Sequence, residues 1–142
     1  MNFMQKATQQ GYKAYSMEEI PVGAVIVKDN KIIARAHNKR EKSQTATHHA
    51  EILAIEKACK KLKSWRLDNC DIYITLEPCP MCASAILQAR ISKVYFGAYD
   101  SRFGVSPILD TIKFNHTLSM TGGILEEECS ALLSDFFTNL RK

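Results

Sequence analysis

No stretch of this 142-residue sequence is apolar for long enough to cross a bilayer; the longest apolar runs, such as Pro21 to Val27, are strand-sized. The first ten residues, MNFMQKATQQ, have no apolar core and no cleavage pattern, so no signal peptide is expected. A cytoplasmic location without a membrane partner follows as the expectation. The five cysteines (Cys59, Cys70, Cys79, Cys82 and Cys129) are an odd number, which argues against a disulfide framework in such a chain. There is no internal repeat, low-complexity tract or linker, so one domain over residues 1–142 is expected, a length that suits one sizeable core. Nor is there a strong excess of one charge: the net +4 permits a polyanionic partner without requiring one. At 46% hydrophobic and 24% charged residues, the balance is that of an ordinary globular protein rather than a disordered one.

The hydrophobic pattern lays out the elements. Apolar residues at 4, 7, 11, 14 and 15 predict a first amphipathic helix, provided Gly11 is tolerated. Pro21 to Val27 reads as a buried strand, Lys28 to Lys31 as a turn and Ile32 to Ala36 as the second arm of a hairpin. Thr45 to Thr47 offers a helix start, carried on by Ala50, Leu53, Ala54, Ala58 and Leu62. Ile72 to Leu76 is a third strand, and Met81 to Ala89 a helix introduced by Pro78 and Pro80. Lys93 to Ala98 is a fourth strand, Asp100 to Asn115 a loop with a short helix, and Leu118 to Thr121 a fifth strand. Gly122-Gly123 then turns the chain into a final helix over Leu125 to Leu140. A hairpin followed by alternating helices and strands predicts an α/β layered domain with a mixed sheet. In such folds the segments leaving parallel strands gather at one sheet edge, where sites are built.

Two of those segments carry unusual residues. TLEPCPMCASAI (75–86) places Cys79 and Cys82 three apart at a helix start, so both sulfurs can face one ion. The positive end of the helix also favours their thiolate forms. Thr47-His48-His49-Ala50-Glu51, at the other strand-to-helix junction, supplies an imidazole. Two thiolates and one histidine suit zinc rather than magnesium or calcium, and three protein ligands leave the fourth position for water, as in a catalytic site. Such water needs a base, and Glu51, two residues from His49, can serve. Residues i and i+2 point about 200° apart on a helix, so both reach one centre only if they sit in the first turn with the metal beyond its end. His48 is the competing ligand. Cys59 and Cys129 fit buried core thiols, and Trp65 an anchor for the loop before the third strand.

His49-Ala50-Glu51 followed by Pro78-Cys79-Pro80-Met81-Cys82 resembles the H-x-E…P-C-x-x-C signature of the zinc-dependent nucleoside deaminases. Longer stretches resemble the bacterial tRNA-specific adenosine deaminases within that superfamily: IPVGAVIV (20–27), HNKR (37–40), TLEPCPMCASA (75–85), VYFGAYD (94–100), FNH (114–116) and GGILEEECSALLSDFF (122–137). The resemblance implies a three-layer α/β/α cytidine deaminase-like fold around a five-stranded mixed sheet. It implies one Zn2+ per subunit on His49, Cys79 and Cys82, with Glu51 as the catalytic acid/base. The activity implied is hydrolysis of adenosine to inosine at the wobble position of a tRNA, tRNA-Arg by expectation, with the anticodon stem-loop as partner. It further implies that Asn38, Ala50 and Leu76 contact the nucleoside, that Asp100 and Phe137 contact RNA, and that the protein is a homodimer. Phe136 competes with Phe137 for that role. Lys39, Arg40, Lys42, Lys60, Lys61, Lys63, Arg66, Arg141 and Lys142 could attract phosphates.

The chain departs from the family pattern at several positions. Thr45-Ala46 stands where an aspartate-proline pair is common, His48 where alanine is common, and Ser84 where glycine is common. Val105-Ser106-Pro107 follows Gly104 in place of a longer Gly-Ser segment. Two other functions use the same residues. A deaminase of a free base or nucleoside, guanine or cytosine, would keep the zinc and Glu51. A non-catalytic RNA-binding scaffold with a structural zinc would have no use for Glu51.

Overall fold

The computed structural model of the chain describes residues 2–112 and 116–140. Phe114 and Asn115 of the FNH stretch, and the basic Arg141 and Lys142, lie outside the described residues. The elements are α1 (Phe3–Ser16), β1 (Gly23–Lys28), β2 (Lys31–His37), α2 (Arg40–Ser43), α3 (Ala50–Leu62), β3 (Cys70–Leu76), α4 (Pro80–Gln88) and β4 (Lys93–Ala98). A 3-10 helix (Ser106–Thr111), β5 (Ser119–Thr121) and α5 (Glu126–Leu140) complete them.

The strands form one mixed sheet in the order β2-β1-β3-β4-β5. β1 pairs antiparallel with β2 and β3, while β3–β4 and β4–β5 are parallel. The hairpin between β1 and β2 turns on Asp29 and Asn30, both at positive φ (51° and 62°). Asp and Asn tolerate that conformation, and a two-residue turn of this kind matches the twist of the strands.

The alternation of side chains along β1 divides the core in two. Ala24 and Ile26 face a cluster with Ala50, Ala54 and Ala58 of α3, Ile72 and Ile74 of β3, and Ile86 of α4. Val25 and Val27 face the opposite side, against Met4 and Ala7 of α1 and Cys129 of α5. Helices therefore cover both faces of the five-stranded mixed sheet, which is why its central strands are apolar on both sides.

Gly23 and Gly11 let α1 lie close to the sheet. A Cβ on Gly23 would run into the carbonyl oxygen of Ala7 and the amide of Gly11. Gly11 is itself buried, and a Cβ there would sit tightly against Leu132 (3.0 Å) and the Pro21 carbonyl oxygen (3.3 Å).

Two boundaries differ from the pattern-based expectation. The helix expected from Thr45 begins at Ala50, and a separate four-residue helix, α2, occupies 40–43. Residues 45–49 lead into α3 as a turn and extended segment, with His49 at ψ 156°. The physical cause is Glu19, which is buried and accepts hydrogen bonds from the amides of Glu41 (3.1 Å) and Lys42 (2.6 Å). Those bonds pin the start of α2 to the loop before β1. No helix among the described residues is long and apolar enough to cross a membrane.

Because the atoms that crowd position 23 are backbone, they cannot swing away. Gly23→Ala is expected to lower unfolding stability by about 2–3 kcal/mol, as other overpacking changes do, read from the urea midpoint at constant slope. A loss within error of zero would mean that α1 is not seated as described.

Candidate metal centre and active site

The C-terminal ends of β2, β3 and β4 lie along one sheet edge. Gly23 of β1 pairs with His37, Ala24 with Ile74, and Leu76 with Ala98. From that edge the chain enters α3 and α4. His49 is the N-cap residue of α3 (φ −71°, ψ 156°), and Cys79 is the N-cap residue of α4 (φ −73°, ψ 168°). Neither side chain caps its own helix. Both are free to turn toward the gap between the helix ends. Pro80 opens α4 because its missing N–H is no loss at a first helical position. Cys82 follows in the same turn and is buried.

These three side chains meet. His49 Nδ1 lies 3.9 Å from Cys79 Sγ and 3.5 Å from Cys82 Sγ, and all three donor atoms fall within 4.8 Å of one another. Zinc bonds of about 2.3 Å to sulfur and 2.0–2.1 Å to nitrogen, set at the tetrahedral angle, give S···N edges near 3.5 Å and an S···S edge near 3.8 Å. The donor set and its spacing are compatible with zinc. His48, the competing ligand, is not in the cluster, and its Nδ1 is buried without a hydrogen-bond partner among the described residues.

Charge is shared unequally inside the cluster. The Cys79 thiol is pulled down to about 4, chiefly because Cys82 hydrogen-bonds to its sulfur, with His49 adding a second bond. Cys82, on the other side of that bond, is pushed up, and its burial and the nearby Glu51 add to the effect. The hydrogen bond to Cys79 raises His49. Glu51 sits in the first turn of α3, fully buried, and its carboxyl reaches Cys82. Burial raises its pKa, because a carboxylate is poorly solvated there. A carboxyl of raised proton affinity thus stands beside a cluster of three potential metal ligands.

The cluster opens into a cavity of about 880 Å³. Asn38, Ala50, Leu76, Asp100 and Phe137 all line it. Asn38 is anchored at both ends of its amide, donating to the Ile20 carbonyl (3.2 Å) and accepting from the Arg40 amide (3.2 Å). Asp100 Oδ1 accepts from the amides of Arg102 (3.1 Å) and Phe103 (3.0 Å), so it also shapes its own loop. The two phenylalanines of α5 separate: Phe136 is buried against Tyr15, and Phe137 faces the cavity. Of the basic residues, Arg40 lines the cavity, whereas Lys60, Lys61 and Lys63 lie at the other end of α3, about 20 Å along the helix. Arg66 is paired with Asp68 at 3.0 Å.

A family model described as MafB19-like deaminase matches residues 1–141. The chain belongs to that deaminase family. A curated relative, the tRNA-specific adenosine deaminase of Bacillus subtilis (strain 168), is 48% identical, over 99% of this chain and 89% of its own. Among solved structures, one from studies of A-to-I editing by tRNA:A34 deaminases at the wobble position of transfer RNA superposes with a TM-score of 0.88. It is 38% identical and covers 92% of this chain and 98% of that one. A guanine deaminase from Bacillus subtilis matches with a TM-score of 0.68 and 36% identity, over 99% of this chain and 94% of that one. The five-stranded sheet covered by helices is thus the cytidine deaminase-like α/β fold.

Two residues that matter to this deaminase's cavity escaped the motif reading. Glu77 is buried between the motif's Leu76 and Pro78, and it accepts from the amides of Asp100 (3.0 Å) and Ser106 (2.8 Å). Arg102 lines the cavity from the loop so held. The available signal was a charged residue at the end of an apolar strand, with a glycine, Gly104, leaving room for its carboxylate.

In the metal-free protein, alkylation of Cys79 should follow its thiolate, since only that form reacts. The rate is expected to stay level from pH 8 to about 5.5 and to fall tenfold per pH unit below about 4. Burial pushes Cys59, Cys70 and Cys129 up, so they should lag throughout. Zinc should protect Cys79. Peptide mass spectrometry after iodoacetamide reads all four sites, and a Cys79 rate that begins to fall near pH 8 would contradict the description.

Proposed function

We propose that this chain hydrolyses adenosine to inosine, with release of ammonia, at the first anticodon position of a tRNA. The observation that carries the reading is the buried Glu51 carboxyl beside the His49–Cys79–Cys82 cluster, at the floor of a cavity open to solvent. Identity of 48% to a tRNA-specific adenosine deaminase supports the choice of substrate. His49, Cys79 and Cys82 would hold zinc, which supplies Lewis acidity and water acidified toward neutral pH.

The protein's own groups do the proton work. Glu51 takes a proton from the attacking water and passes it to N1 of adenine as the C6–O bond forms. A second transfer through the same carboxyl protonates the exocyclic nitrogen, and the C6–N bond breaks with ammonia leaving. Burial raises the acid's proton affinity, and a carboxyl at this position can serve as both base and acid. Ala50 and Leu76 wall the base, and Asn38 is anchored beside them. The target base must be unstacked to reach this depth, as it can be in a single-stranded loop. tRNA-Arg is the proposed species, the homodimer the proposed assembly and the cytoplasm the proposed location.

The 36% identity to a guanine deaminase favours a second reading, hydrolysis of a free purine base. The 48% identity to a tRNA-specific adenosine deaminase weighs against it.

With zinc loaded, the protein should convert the first anticodon adenosine of a tRNA-Arg stem-loop to inosine, read by sequencing. Turnover of guanine with none on RNA would sink the tRNA reading. Glu51→Ala should lower kcat by about 10²–10⁴-fold with zinc content and melting temperature retained. An active Glu51→Ala protein would remove Glu51 from the chemistry.

A further inference from the structure

The loop from Asp100 to Ser106 is fastened more tightly than an ordinary surface loop. Glu77, 4% exposed, accepts one hydrogen bond from each end of it, at the Asp100 and Ser106 amides. Gly104 lies directly on that carboxylate, where any Cβ would collide with it. The Val105 amide donates to the Pro78 carbonyl at 2.9 Å, and Val105 is fully buried. Inside the loop, Asp100 Oδ1 collects the amides of Arg102 and Phe103. With its backbone so committed, the loop holds out one large apolar ring: Phe103 is 62% exposed, yet lines the mouth of the cavity. The Arg102 guanidinium lies over that ring at 5.3 Å. Arg40 lines the same cavity from the segment after β2.

An exposed phenylalanine on a hydrogen-bonded loop gives up little backbone freedom on binding, because its backbone is already ordered. A ring with one guanidinium over it, at a cavity that Arg40 (3.8 Å from Glu41) also lines, suits a planar π-face joined to an anionic backbone. Unpaired nucleotides have that chemistry, and stacking is sequence-tolerant because each base has a π-face. We propose that Phe103 is the stacking surface for a nucleobase next to the target nucleotide, with Arg102 and Arg40 toward its phosphates. The inference rests on the RNA reading of the cavity and assigns an RNA-binding residue that the metal-and-carboxylate motif does not contain.

The test uses the zinc-loaded full chain and anticodon stem-loops carrying 2-aminopurine on one side or the other of the target. In Glu51→Ala protein, whose turnover is slow enough for binding to be read first, one of the two probes should be quenched on binding. Adding Phe103→Ala should abolish that quenching. In the active protein, Phe103→Ala should raise KM on the stem-loop by about 5- to 100-fold, the worth of one stacked base, with kcat within twofold. Phe103→Tyr should retain most of the affinity. Glu77→Gln offers one acceptor to two amides, so it should raise KM in the same direction and add little to Phe103→Ala.

Unchanged KM and quenching in Phe103→Ala, while the wild type makes inosine, would overturn the stacking site and leave the proposed activity standing. A zinc-loaded wild type that makes no inosine would overturn the activity itself. Dissociation of an oligomer on Phe103→Ala, seen by sedimentation, would overturn the proposal by making the ring a contact between copies of the chain.

Discussion

The site depends on two helices that begin at the same place. α3 and α4 leave the same sheet edge, and their first residues, His49 and Cys79, are extended rather than helical. That conformation turns both side chains past the helix ends. The parallel pairing of β3 with β4, and the hairpin that sets β2 in the same direction, bring the two starts together. Each helix adds the positive end of its dipole, which favours thiolate over thiol. A cation there would complete what the fold begins, since buried sulfur charge with no counter-charge is costly. The cluster is therefore a consequence of topology as well as of sequence motif.

Much of this was legible because the informative residues are close in sequence. Cys79 and Cys82 lie within one turn, and His49 and Glu51 within another, so spacing alone constrains where a shared ion can sit. The requirement that i and i+2 meet only in a helix's first turn put His49 and Glu51 near the start of α3; the structure has His49 as the N-cap and Glu51 in the first turn. The sheet was legible for a similar reason: apolar runs of strand length alternate with helical spacing. Glu19 and Glu77 were not legible in their roles. Their partners are backbone amides of Glu41, Lys42, Asp100 and Ser106, and an amide has no residue type to read. The four-residue α2 escaped for the same cause, since it has no side-chain cap and buries nothing.

The distribution of charge separates long-range attraction from recognition. Lys60, Lys61 and Lys63 cluster where α3 ends, far from the cavity, and can contribute to a weak general field but not to contacts there. Arg40 and Arg102 stand on segments that flank the cavity and that buried glutamates hold. Lysine-rich helix ends are tolerant of position, whereas a guanidinium beside a reacting nucleotide must be placed. The rigidity of the two segments and the location of their arginines belong to one arrangement.

Among the described residues three glutamates are buried, and their surroundings differ in one respect. Glu19 and Glu77 each receive two amide N–H groups, which replace the water a carboxylate loses on burial. Such bonds hold both side chains, and the segments they bind, in place. Glu51 has its own backbone amide in reach but no such pair of amides, and burial outweighs that bond, so its proton affinity rises. A buried carboxyl left short of donors has its proton affinity raised, which suits a group that must exchange a proton. The same side chain is thus used as a clamp where donors are abundant and is left available for chemistry where they are scarce. Supplying Glu51 with a second amide would strengthen the fold locally and remove the property its position demands.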